Sequence, residues 1–502
     1  MDMNRRDFLR NASLAAFAAT CGPAIAKKVA DGAKPNVIFI LADDMGYGDA
    51  GCYGGKVIPT PNLDRMATEG MRFTQHYTGA TVCGPSRSCL MVGQHTGHAF
   101  QRGNPHQVAK NSPLGKLKDK VGRKSDFPLR AKPGDCVTLA EVFKKAGYHT
   151  AIVGKWGLGN PGTPGDPQKV GFDEFFGLAT HVDAHTYHPT KLWDNGEYVA
   201  NPDKKHLHPQ YTARAIDFVK RHKGQPFFLY LAYQFPHGPY KGHDSLQDEP
   251  FARKHGLEGQ GKVYASQIAQ MDRSIGRILQ ELAALGLDRK TLVIFASDNG
   301  PGGRALEQLN SNGPLRGRKG DLYEGGIRTP MIARWPGRIE AGATSDLISA
   351  FWDFLPTFAE MTGQPIPKQT DGVSLLGTLT GNPTRQKPRD AIYFEWSRSD
   401  RAGQAVRKGD WKLIRWLKGK EPRLELFHLG KDIGEKTNLA ADHAEKVREL
   451  TAIMDREHKA NPHFRLRLID TTPSTVNPAF DPKATGGGGK RKGKRKGKKK
   501  QG

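Results

Sequence analysis

The stretch Asn36-Val37-Ile38-Phe39-Ile40-Leu41-Ala42-Asp43-Asp44-Met45-Gly46-Tyr47-Gly48-Asp49 decides the fold. From Val37 to Ala42 it is an unbroken apolar run, as expected of a strand buried on both faces of a parallel sheet. The run ends in two adjacent carboxylates, at the edge where open α/β sheets place ligands. Side by side, these repel unless a cation neutralises them. The plainer alternative is a solvated turn, since Asp and Gly are turn residues. A second edge of the same kind tips the balance. Thr291-Leu292-Val293-Ile294-Phe295-Ala296-Ser297 is another buried-type strand, and it ends in Asp298-Asn299-Gly300-Pro301. Asp43, Asp44, Asp298 and Asn299 together offer the hard oxygen ligands that Ca2+ or Mg2+ prefers.

Between these edges lies Val82-Cys83-Gly84-Pro85-Ser86-Arg87-Ser88-Cys89-Leu90-Met91-Val92-Gly93. Proline is tolerated where a helix begins, so this reads as a loop running into a first helical turn. Cys83 then sits at a helix N-terminus, where free N–H groups and the helix dipole favour negative charge. Arg87, about one turn later, returns to the same spot. On local features alone, an anion-binding pocket with a sulfur at its mouth competes with a buried cysteine near a helix cap, the commoner occurrence.

The pattern Cys83-x-Pro85-Ser86-Arg87, with Leu90 and Gly93 beyond it, resembles the signature of the type I, arylsulfatase-like sulfatases of the alkaline phosphatase superfamily. The resemblance implies an α/β fold: a large mixed sheet sandwiched by helices, with a small C-terminal antiparallel-sheet subdomain. It implies that a formylglycine-generating enzyme oxidises Cys83 to an aldehyde. It also implies that Asp43, Asp44, Asp298, Asn299 and the modified residue 83 hold one divalent ion, usually Ca2+, with Mg2+ as the alternative. Three further positions match the family. Lys155, in Gly154-Lys155-Trp156-Gly157-Leu158-Gly159, and Lys319, ahead of Tyr323-Glu324-Gly325-Gly326, correspond to lysines that neutralise the sulfate. His237, in Phe235-Pro236-His237-Gly238-Pro239, corresponds to a strand-end histidine that contacts the sulfate and its bridging oxygen.

One position departs. Many sulfatases carry a histidine two residues after the lysine, where this chain has Gly157. In His181-Val182-Asp183-Ala184-His185, His185 is the first candidate to supply the missing imidazole and His181 the second. The chemistry the family implies is sulfate-ester hydrolysis. One hydroxyl of the hydrated aldehyde attacks sulfur and displaces the alcohol, and the other then expels sulfate. Arg87 holds the hydrate and the ion rather than the substrate.

With 502 residues, the chain has room for one large domain and a smaller one. Its 76 Lys and Arg against 51 Asp and Glu give a net charge of +25. Ten of those basic residues, with no acid among them, lie from Lys483 onward, so the body carries about +15. Such a surface suits a polyanion. No nucleic-acid-binding signature appears, which leaves a sulfated polymer, or mere solubility. The five cysteines match neither a zinc pattern nor a disulfide framework.

Residues 1–26 read as a twin-arginine signal peptide, with Arg5-Arg6, the apolar run 14–19 and Ala24-Ile25-Ala26. They direct the protein through the twin-arginine export machinery to the periplasm or the exterior. No segment is long enough to stay in a membrane as a span. The catalytic domain is expected over 34–370, a boundary near 365–390 where Pro, Gly, Thr and Asn cluster, and an α+β subdomain over 385–465. Helices are expected over 61–73, 138–146, 211–222, 263–285, 351–362 and 444–458, by apolar spacing. Residues 100–135 read as a long loop near the site. The tail 473–502, Gly- and Lys-rich, cannot bury enough apolar area to order itself. Two other readings compete with sulfated-carbohydrate hydrolysis. One is a phosphodiesterase or phosphonate hydrolase of the same superfamily. The other is a non-catalytic binder of sulfated polyanions.

Overall fold

The computed structural model describes residues 34–107, 127–181, 183–238, 249–303, 308–398, 402–466 and 468–470. The signal peptide, the basic tail and the middle of the 100–135 loop lie outside the described residues. The main-sheet strands are β1 (Asn36–Ala42), β2 (Met71–Phe73), β3 (His149–Lys155), β4 (Glu174–Leu178), β5 (Lys191–Asp194), β6 (Glu197–Ala200), β7 (Phe227–Ala232), β8 (Thr291–Ser297), β9 (Met331–Arg334) and β10 (Ala343–Ser345). They form one ten-stranded sheet in the order β10-β2-β9-β8-β1-β7-β3-β4-β5-β6. β8, β1, β7, β3 and β4 run parallel, while β9 and β5 turn antiparallel on either side. The sheet is therefore mixed, with a buried parallel centre.

Alternation along β1 shows why this centre needs two helical layers. Val37, Phe39 and Leu41 belong to one apolar cluster, with residues of the helices Cys83–Val92, Leu139–Lys145 and Phe354–Met361. Ile38, Ile40 and Ala42 belong to the other, with residues of Pro61–Thr68, Leu207–Arg221 and Gly259–Ala284. A strand apolar at every position has no face to give to water.

The C-terminal strands β11 (Ile392–Trp396), β12 (Gly403–Lys408), β13 (Trp411–Trp416) and β14 (Arg423–His428) make a four-stranded antiparallel sheet. Phe394, Trp396, Ala405 and Ile414 join the larger core, while Tyr393, Val406, Leu413 and Leu426 pack on Leu450, Ile453 and Met454 of the helix Ala444–Glu457. The small sheet and the body thus share one apolar interior.

The helix expected over 61–73 stops at Thr68, and Met71 lies on β2 instead. Gly70 is the reason. A Cβ there would lie 2.3 Å from the Ala333 carbonyl oxygen, so the chain is pressed against β9 where a helical turn has no room. Among the described residues no helix is long and apolar enough to cross a membrane.

Candidate active site

The parallel strands bring their C-terminal tips to one edge. Pairing of β1 with β8 sets Ala42 opposite Ser297, so Asp43 and Asp298 emerge side by side. The Asp298 N–H donates to the Ala42 carbonyl at 3.1 Å, carrying the pairing one step past the strands. On the other flank Gly154 is in register with Ala232, which delivers Lys155 beside Asp43. Its Nζ donates to Asp43 Oδ2 at 2.6 Å, and both side chains are fully buried. The loop after β7 adds His237, whose Nε2 is 3.7 Å from Asp44 Oδ2. Asn299 Nδ2 and Lys319 Nζ both donate to Asp44 Oδ1 at 2.6 Å.

Cys83 opens a helix, as the sequence implies. Val82 is extended, the helix runs Cys83–Val92, and all ten of its residues are buried. Arg87 ties this helix to the strand tips. Its Nε and Nη2 reach Asp298 Oδ2 at 2.9 and 2.7 Å, and its Nη1 donates to the Lys155 carbonyl at 3.0 Å. Cys83, Arg87, Lys155, Asp43, Asp44, Asp298 and Asn299 therefore form one buried cluster, with His237 and Lys319 half-buried at its mouth.

Its charges act strongly on one another. Burial alone would raise the Asp43 carboxyl, but Lys155, His237, Arg87 and Lys319 outweigh it and hold the group well below the usual carboxylate range. Burial also raises Asp44, and Lys319 and His237 bring it below normal. Burial and the Asp43 charge push Asp298 up in spite of Arg87. The Cys83 thiol is lowered, because Lys155 and Lys319 outweigh burial. His237 is lowered by burial and by Lys319.

The donor set fits a hard divalent cation. Asp43 Oδ1 and Asn299 Oδ1 are buried acceptors without a hydrogen-bond partner. Buried acceptors are normally paired, so two orphans beside three carboxylates mark room for positive charge. Asp43, Asp44 and His237 also present ligand atoms within 4.8 Å of one another.

The imidazoles resolve differently from the sequence expectation. His181 Nδ1 lies 3.9 Å from Cys83 Sγ. His185 sets its ring 4.8 Å from both neighbours, edge-to-face with His181 and tilted against His237, and burial and Lys155 press its pKa down to about 2. Gly157 packs beside His181. It has φ of +72°, which disfavours a side chain, and a Cβ there would fall 3.7 Å from His181 Nδ1. The ring of His181 thus occupies the space over Gly157. Asn104 was not foreseen at all: its Nδ2 is 3.8 Å from Cys83 Sγ and its Oδ1 accepts the Gly84 N–H at 3.0 Å. Only the polar triplet Arg102-Gly103-Asn104 inside the long loop hinted at it.

Comparison with known proteins agrees with this geometry. The Sulfatase family model matches residues 35–364, and the model described as N-sulphoglucosamine sulphohydrolase, C-terminal, matches residues 318–460. Human arylsulfatase A is 34% identical over 463 residues, covering 83% of this chain and 85% of that protein. The N-acetylgalactosamine-6-O-sulfatase of Bacteroides thetaiotaomicron is 31% identical over 512 residues, covering 84% and 93%. The solved structure of Ps i-CgsB in complex with k-i-k-neocarrahexaose superposes with a TM-score of 0.73 at 27% identity, covering 90% of this chain and 100% of that one. Strand tips, helix start and family match converge: the chain belongs to the sulfatase family of the alkaline phosphatase superfamily and is a sulfuric ester hydrolase.

Proposed function

We propose that this enzyme removes sulfate from carbohydrate esters, with residue 83 as formylglycine and one Ca2+, or Mg2+, held by Asp43, Asp44, Asp298, Asn299 and residue 83. The observation that carries this reading is the meeting of two distant strand tips around the first residue of a buried helix. Sulfated sugars are favoured as substrates because relatives are named N-acetylgalactosamine-6-sulfatases and a structural neighbour was solved in complex with k-i-k-neocarrahexaose.

The ion would supply charge neutralisation at the sulfuryl oxygens, and the hydrated aldehyde a nucleophile with a second hydroxyl to expel sulfate, which a plain thiol lacks. The chain's own residues do the rest. Lys155 and Lys319 carry fixed positive charge into the pocket; in this structure they rest on Asp43 and Asp44. With Asp43 and Asp44 drawn to an ion, both ammonium groups would be left to pair with the sulfate oxygens instead. Arg87 keeps the nucleophile helix locked to Asp298. His237, in the loop after β7, would handle the proton of the leaving group or the nucleophile. His181, rather than His185, holds the side chain of residue 83 from the Gly157 side. His185 backs the other two imidazoles.

Residues 1–26 direct the folded protein to the periplasm or exterior through the twin-arginine machinery, after a formylglycine-generating enzyme has acted. The test is sulfate release from sulfated galactosamine and galactose oligosaccharides, an aryl sulfate, a phosphodiester and a phosphonate monoester, with mass spectrometry of the tryptic peptide 73–87. Sulfate release from sugars by protein carrying the aldehyde is the expected result. Preferred cleavage of the phosphorus esters, or full turnover with an unmodified thiol, overturns the reading.

A further inference from the structure

Behind the strand tips lies a polar bracket that the reaction described so far does not use. Asp44 has φ of +74°, a left-handed conformation that a side-chain-bearing residue adopts only where its surroundings enforce it. The surroundings are hydrogen bonds. The Asp44 N–H donates to Asp298 Oδ1 at 3.2 Å, and the Met45 N–H donates to Ser297 Oγ at 2.9 Å. The Tyr264 hydroxyl, from the helix Gly259–Ala284, lies 3.1 Å from the Asp44 carbonyl oxygen and 2.5 Å from Asp49 Oδ2. The Gly46 N–H closes the ring, lying 2.7 Å from Asp49 Oδ2 and 3.2 Å from the Tyr264 oxygen. Tyr264 is fully buried and Asp49 nearly so.

Most of Tyr264 is ordinary core, packed in the apolar cluster of its helix. Its hydroxyl is not. It ends on the backbone of one proposed ion ligand and on the carboxylate that pins the next turn. The twist at Asp44 aims one carboxylate oxygen at Asn299 and Lys319 and the other at His237. Rotation back to an extended backbone would swing both oxygens out of the cluster.

We propose that Tyr264 and Asp49 are positioning residues of the divalent-ion site: they hold Asp44 in its left-handed conformation and so set how tightly the ion binds. This rests on the ion assignment proposed for Asp43, Asp44, Asp298 and Asn299. Partners that orient a metal ligand, without touching the metal, typically change affinity about 10–100-fold when removed.

The experiment is calorimetric titration of chelator-treated, full-length protein with Ca2+, comparing wild type, Tyr264→Phe and Asp49→Asn. Melting temperatures of the ion-free proteins and turnover at limiting and saturating Ca2+ are measured alongside. Tyr264→Phe removes one oxygen and keeps the ring. The expected result is Ca2+ affinity weakened about 10-fold or more, with an ion-free melting temperature close to wild type and turnover restored by saturating Ca2+. Asp49→Asn gives the same answer should the tyrosine variant not fold. Affinity within about twofold of wild type, in whichever variant folds, overturns the proposal. Wild-type protein that binds neither Ca2+ nor Mg2+ overturns the ion assignment itself, which is a different outcome.

Discussion

Lys155 and Lys412 are both buried lysines that meet carboxylates, yet their surroundings follow opposite rules. Lys412, on β13, sits between Glu324 at 2.9 Å and Glu435 at 2.8 Å. Glu324 also accepts from the Tyr77 hydroxyl at 2.6 Å and from Arg328 at 3.3 Å. The Glu435 carboxylate takes the Glu324 N–H at 2.7 Å. The cluster welds the small sheet to the body, and its one acceptor without a hydrogen bond, Glu435 Oε1, faces the Lys412 ammonium at 2.8 Å. Around Lys155 three carboxylates crowd together, and two acceptors, Asp43 Oδ1 and Asn299 Oδ1, are left over. A closed network serves stability. An open one holds a place for something that arrives later.

The comparison can be broken at four points. The largest effect belongs to Cys83→Ala. Sulfate release should fall about 1,000-fold or more, while the melting temperature stays within about 2 °C of wild type. Turnover near wild type would remove the nucleophile from position 83. Lys412→Met should do the reverse. Leaving two buried glutamates without their cation should cost about 3–5 kcal/mol in denaturant unfolding, with kcat of the remaining folded protein unchanged. Loss of kcat in that fraction would show that the two clusters are coupled.

Chelation comes third. Ion-free enzyme should lose activity and regain it with Ca2+. At a 100-fold excess over Kd the ion should stabilise the fold by about 2.7 kcal/mol. A thermal shift without rescue of activity would place the ion away from the reaction.

The smallest effect is a pH slope at the seam. His458 lies between Glu395 at 2.8 Å and Asp470 at 3.0 Å. Burial lowers its pKa, but those two carboxylates outweigh burial and raise it from 6.5 to about 9. A raised histidine contributes stability fully below pH 6.5, and the contribution fades as pH climbs through about 9. Melting temperatures across that window should fall in wild type and flatten in His458→Gln. An equal slope in both would assign the pH dependence to other groups.

Much of the active site was legible because its signals are local in sequence and severe in chemistry. An apolar run ending in Asp43-Asp44 reads as a cation-binding edge rather than a turn once Asp298-Asn299 repeats it. Pro85 announced the helix that begins at Cys83. What was not legible depends on which way a side chain turns in irregular backbone. His181 and His185 lie in one short stretch, and which of them meets Cys83 depends on the course of irregular backbone that no periodicity reveals. The outer strands β5 and β6 were missed because they are only four residues each, with β6 largely exposed, so no apolar alternation marks them. Tyr264 was hidden for the opposite reason: it falls on the apolar face of a long helix, where a tyrosine reads as filling.

The helix that begins at Cys83 has no residue open to solvent. The active cleft of another protein cannot close around a side chain buried to this degree. The conversion proposed for position 83 would therefore have to take place while that segment is still extended, before the two strand tips shut over it.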